Sequence, residues 1–112
     1  MGTDICGLPR DGVSVSFSGS HGRPVEHGSW SPTYLSNTVT VFLFDCEACS
    51  ECYMTAALAY EFGVPVVLVT GDHCAVADAL RYAPDAAMVA VKECVDRYTA
   101  ICLPPERTAE LI

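Results

Sequence analysis

Apolar and polar residues alternate strictly along Val13-Ser14-Val15-Ser16-Phe17-Ser18, with Val13, Val15 and Phe17 on one face. That period of two predicts a strand with one buried face. Gly19–Thr33 has no periodicity and is rich in Gly, Ser, Pro and His, as expected of a long irregular segment, and Met1–Asp11 also reads as a loop. Thr38–Phe44 is β-branched and aromatic, which predicts a second strand. Ser50 then stands where a helix N-cap is needed, ahead of Glu51–Phe62 with its alanines at 56, 57 and 59, and Gly63 fits the left-handed stop. Val64–Thr70 is continuously apolar, the pattern of a strand covered on both faces. Asp72 is placed to cap a short helix over Cys74–Tyr82, followed by Pro84. Ala87–Val91 reads as another strand, and Pro104-Pro105 opens a last helix cut off at Ile112. The order predicts an α/β fold with a mixed sheet of about four strands, two to three helices and at least one right-handed parallel crossover.

Composition narrows the function classes. The chain has 112 residues, 51% hydrophobic and 18% charged, which excludes a disordered polymer and fits one small domain. Its net charge of −8 comes from 14 acids against 6 bases with no basic cluster, so nucleic acid and anionic membrane are not expected partners. Val64–Val69, the longest strongly apolar run, is too short to span a bilayer. Seven cysteines is an odd count, and Met1–Arg10 lacks the apolar core of a signal peptide. Reduced thiols in a cytoplasmic protein are the expectation.

Cys46, Cys49 and Cys52 have C-x-x-C-x-x-C spacing, which suggests three thiolates for zinc or an iron–sulfur cluster. Both usually take four ligands, and the place of a fourth cysteine is Ala56; the competing reading is small core residues. His21 follows the first strand directly, where a side chain reaches a cleft at strand ends and an imidazole suits zinc. His27 and His73 have no evident partner. Glu51 opens a helix, where the dipole alone favours a carboxylate by ~0.3–1 kcal/mol; its functional reading is a metal ligand. Asp72 reads as a cap, and Asp45-Cys46-Glu47 as a turn or a metal-sharing carboxylate pair. No G-x-S-x-G, P-loop or G-x-G-x-x-G occurs.

From Val13 to Ile112 the chain resembles the zinc-dependent D-aminopeptidase family of the DppA type. Gly63-Val64-Pro65-Val66-Val67-Leu68-Val69-Thr70-Gly71-Asp72 is similar to that family's Y-G-V-P-V-V-L-V-T-G-D-D, with His73 in place of its second Asp. Ala90-Val91-Lys92-Glu93, Arg97-Tyr98-Thr99-Ala100, Cys102-Leu103-Pro104-Pro105 and Ala109-Glu110-Leu111-Ile112 resemble its later segments. The resemblance implies a homo-oligomeric metallohydrolase that releases N-terminal D-amino acids from short peptides using two zinc ions. It makes His21, in Gly19-Ser20-His21-Gly22-Arg23, a zinc-binding histidine, and Glu51, in Glu51-Cys52-Tyr53-Met54-Thr55-Ala56, a zinc-binding glutamate.

The departures from that family are specific. Pro32 stands where the family's catalytic histidine belongs, so no catalytic residue is carried over and no substrate-binding residue is identified. Other family metal ligands have no counterpart, and the family's C-terminal portion has none either. Residues 1–112 are therefore expected to form one partial α/β domain resembling the central part of such an enzyme, incomplete for catalysis by itself, and whether it is an enzyme stays open. Two rival readings also stay open: a cysteine-ligated metal or redox protein built on Cys46, Cys49 and Cys52, and a non-catalytic, self-associating α/β module.

Overall fold

The computed structural model describes residues 14–20, 41–96 and 98–112. Strand β1 (Val15–Ser20) keeps the alternation of its sequence, with Val15, Phe17 and Ser20 buried and Ser14, Ser16 and Ser18 exposed. Helix α1 (Glu51–Glu61) begins where Ser50 accepts a hydrogen bond from the Tyr53 N–H at 3.2 Å. It ends at Phe62, with Gly63 at φ 68°. That left-handed backbone carries almost no steric cost for glycine. The buried positions of α1 are Cys52, Ala56 and Ala59, a narrow stripe of small side chains at helical spacing.

Strand β4 (Val66–Asp72) lies between β1 and β5 (Ala87–Asp96) and is parallel to both. Before it in the chain come β2 (Leu43–Phe44) and β3 (Glu47–Ala48), an antiparallel pair in a sheet of their own. Helix α2 (His73–Ala79) follows β4 directly, with the Asp72 carboxylate accepting from the Ala75 N–H at 2.7 Å. Strand β6 (Thr99–Cys102) closes the order β1-β4-β5-β6 antiparallel to β5, and α3 (Pro105–Leu111) follows with no buried residue. The expected α/β architecture, a mixed four-stranded sheet with three helices, is what forms.

The core is thin. Val15, Phe17, Val64 and Val69 meet Cys52 and five alanines, at 56, 59, 79, 83 and 86. At the C-terminal ends of β1 and β4 the backbones come closer still. A Cβ on Gly71 would lie 2.6 Å from the Ser20 carbonyl oxygen and 3.0 Å from the Ala75 Cβ. Only glycine permits that approach.

Three local expectations change. The strand expected over Thr38–Phe44 is reduced, among the described residues, to Leu43–Phe44, and it belongs to the hairpin rather than to the main sheet. Its apolar residues lack a main-sheet neighbour: Asp45 and Cys46, at φ 51° and 65°, turn the chain back at once. Two successive positive φ values are the signature of a type I′ hairpin turn. Strand β5 runs five residues past the expected Val91, because pairing with β6 satisfies the backbone of its polar end. Finally, Val64–Thr70 is not covered on both faces by the described residues: Val64 is buried, but Val67 is 43% exposed, and within β4 full burial begins at Val69. None of the described helices is long and apolar enough to cross a membrane.

Candidate functional site

Glu51 occupies the first turn of α1 and is half-buried. Its carboxylate makes no hydrogen bond or ion pair with another described residue, whereas its backbone carbonyl accepts from the Thr55 hydroxyl at 2.9 Å. The next residue, Cys52, is buried, with Ser20, the last residue of β1, and Tyr82 near enough to act on its thiol. The start of α1 therefore packs against the C-terminal end of β1, the edge of an α/β sheet where ligands bind. His21 follows Ser20 in sequence but lies outside the described residues, as do His27 and Pro32.

A buried polar network holds this corner. The Ser50 hydroxyl donates to Asp78 Oδ2 at 2.7 Å while its oxygen accepts from Tyr53 N–H. Asp78 is 3% exposed, and its other oxygen takes a hydrogen bond from Arg81 at 3.1 Å. Arg81 also donates to the Ala48 carbonyl at 3.2 Å and to Glu47 Oε2 at 3.1 Å, so it ties the hairpin to the end of α2. Tyr82 stacks edge-on against Tyr53 with centroids 5.6 Å apart. Burial, with the nearby Cys52 and Asp78, pushes its hydroxyl well above the ordinary tyrosine range. Sequence reasoning noted Ser50 only as a cap and passed over Asp78, Arg81 and Tyr82. The signal available was Asp78 itself, a lone carboxylate on the alanine face of α2, three residues before an arginine.

The other candidates are otherwise engaged. Cys46 is exposed in the hairpin turn, whereas Cys49 and Cys52 are buried. Desolvation raises the thiol pKa of both buried residues, helped by Asp78 at Cys49, and such thiols are poor metal or redox groups. No group of three or more His, Cys, Asp or Glu side chains among the described residues is placed to hold a metal ion, so the three cysteines do not converge. Glu47 is paired with Arg81, and Asp72 caps α2. His73 Nδ1 accepts from the Cys94 N–H at 3.3 Å, which puts the imidazole proton on Nε2, 3.4 Å from the Cys74 sulfur. A groove of ≈ 480 Å³ lies against His73, Ala90, Lys92, Glu93, Ile101 and Leu103, none of them a ligand inferred from the family. Of the two expected zinc ligands the described residues thus contain Glu51 alone; its free carboxylate has the right donor chemistry for zinc.

The comparisons with known proteins agree with this architecture. The solved structure of the Zn-dependent D-aminopeptidase DppA from Bacillus subtilis, described as a self-compartmentalizing protease, is similar with a TM-score of 0.88 and 28% sequence identity. The similarity covers 94% of this chain and 38% of that one, so this chain spans well under half the length of the enzyme it resembles. No curated protein matches. The sequence model of the D-aminopeptidase family matches residues 4–112, nearly the whole chain, and this chain belongs to that family.

Proposed function

We propose that this chain carries one part of the active site of a zinc-dependent D-aminopeptidase, with Glu51 and His21 as metal ligands. The observation that carries the reading is the Glu51 carboxylate, with no hydrogen bond or ion pair among the described residues, at a helix start close to Ser20, the residue before His21. Bound there, zinc would supply Lewis-acid polarisation of a peptide carbonyl and an activated water. Glu51 and His21 would hold it, and the substrates would be short peptides with an N-terminal D-residue. Residues 1–112 form one partial α/β domain in this reading, and the chain works as a homo-oligomer in a cytoplasm.

By itself the 112-residue chain does not catalyse the reaction. Two ligands fall short of the three protein ligands typical of a catalytic zinc. Pro32, at the family's catalytic histidine position, has no group to exchange a proton. The test is to incubate purified chain with Zn²⁺ and a D-alanyl dipeptide and to measure free D-alanine. No release above the protein-free control is expected; zinc-dependent release would overturn the assignment of inactivity.

The rival cysteine-centred reading draws no support from the arrangement of Cys46, Cys49 and Cys52.

A further inference from the structure

The Ser50–Asp78–Arg81 network does more than close a corner of the fold. Ser50 is the residue before Glu51, and its hydroxyl has a single proton. That proton goes to Asp78 at 2.7 Å, which leaves the oxygen lone pairs to receive the Tyr53 N–H at 3.2 Å. The two bonds together fix where α1 begins and how its first turn is rotated about the helix axis. Asp78 comes from α2, 28 residues away in sequence, and is nearly inaccessible to water. Arg81 balances its charge and grips the hairpin through Ala48 and Glu47, so the segment leading into Ser50 is held from the same hub. A buried carboxylate is costly to desolvate, and an ordinary N-cap serine needs no such partner. What the pairing adds is direction.

We infer that Asp78 is a positioning residue for Glu51: acting through Ser50, it sets the angle at which the Glu51 carboxylate leaves α1 toward a metal ion. This rests on the reading of Glu51 as a zinc ligand. Groups that orient a metal-binding side chain typically change metal affinity roughly 10- to 100-fold when altered.

The experiment is a titration of the full chain with Zn²⁺ by calorimetry, recording the binding that Glu51→Gln removes, with circular dichroism spectra taken on every variant. Asp78→Asn and Ser50→Ala are expected to weaken the Glu51-dependent binding by ~10-fold or more while the spectra stay unchanged. Ser50→Thr retains the hydroxyl and is expected to restore binding to within about threefold of the parent, a rescue that general loosening would not give. If Asp78→Asn fails to fold, the Ser50→Ala and Ser50→Thr pair decides the matter. Parent-like affinity in Ser50→Ala overturns the positioning role and leaves Glu51 as a ligand. Binding that Glu51→Gln does not alter removes Glu51 as a ligand, and the positioning role with it.

Discussion

Replacing Gly71 by alanine is the sharpest probe of how β1 and β4 meet. Gly71 does not have a positive φ, so alanine suits its backbone, and losing unfolded-state freedom would by itself stabilise the chain by ~0.4–1 kcal/mol. Against this stands the new methyl, 2.6 Å from the Ser20 carbonyl oxygen and 3.0 Å from Ala75 Cβ. The first neighbour is backbone within a paired strand and the second is a short side chain on a capped helix. Neither swings aside as the end of a lysine would. Overpacking of this kind costs about 1–3 kcal/mol, so a net loss of ~1–2 kcal/mol is expected. Urea unfolding followed by both circular dichroism and tyrosine fluorescence would measure it. Gly63 supplies the contrast: a Cβ there meets nothing within 4 Å, but φ is 68°. Gly63→Ala loses about 1 kcal/mol through backbone strain, and Asn, which tolerates that conformation, recovers most of it. At Gly71, Asn is worse than Ala because the obstacle is volume. A Gly71→Ala chain that unfolds at the parental urea midpoint would refute the argument.

Two further outcomes follow from the cysteines. Cys46 sits at φ 65° in a turn whose second position favours glycine, so Cys46→Gly is expected to raise stability by about 0.5–1 kcal/mol in the same urea assay. Cys49 and Cys52 have thiol pKa values raised by burial, so folding keeps them protonated: their stabilising contribution is full below the unfolded thiol pKa of ~8.5 and falls as pH rises through the folded values. The urea midpoint should therefore decline as the pH rises above about 8.5, and Cys52→Ala should flatten that decline.

Legibility in the sequence followed the range of the interaction responsible. Ser50, Gly63 and Asp72 were readable as helix signals because capping is settled within three or four residues, and each performs that role. The alternation in β1 was readable because one buried face imposes it. The hairpin was hidden because Val41–Phe44 is as apolar as a core strand, although these four residues are exposed in the described structure. β6 was hidden because Thr99–Cys102 is too short to show a period and is a strand through its pairing with β5. At the site, Glu51 could be found by resemblance, whereas for Asp78 and Arg81 only their mutual i,i+3 pairing was local; their partners in α1 and the hairpin lie 28 to 34 residues away.

The alanine-rich core has a consequence for reach. Layers separated by leucine or phenylalanine would keep α1 far from the sheet, and only long side chains could span the gap. Here alanines at 56 and 59 line the buried stripe of α1, so a cysteine and a serine, each with one atom beyond Cβ, come close across the layers. The spacing between the helix start and the strand end is thus governed by methyl groups two turns further along α1. A bulkier residue at Ala59 would act on Glu51 as a wedge acts on a hinged plate, opening the far end without touching it.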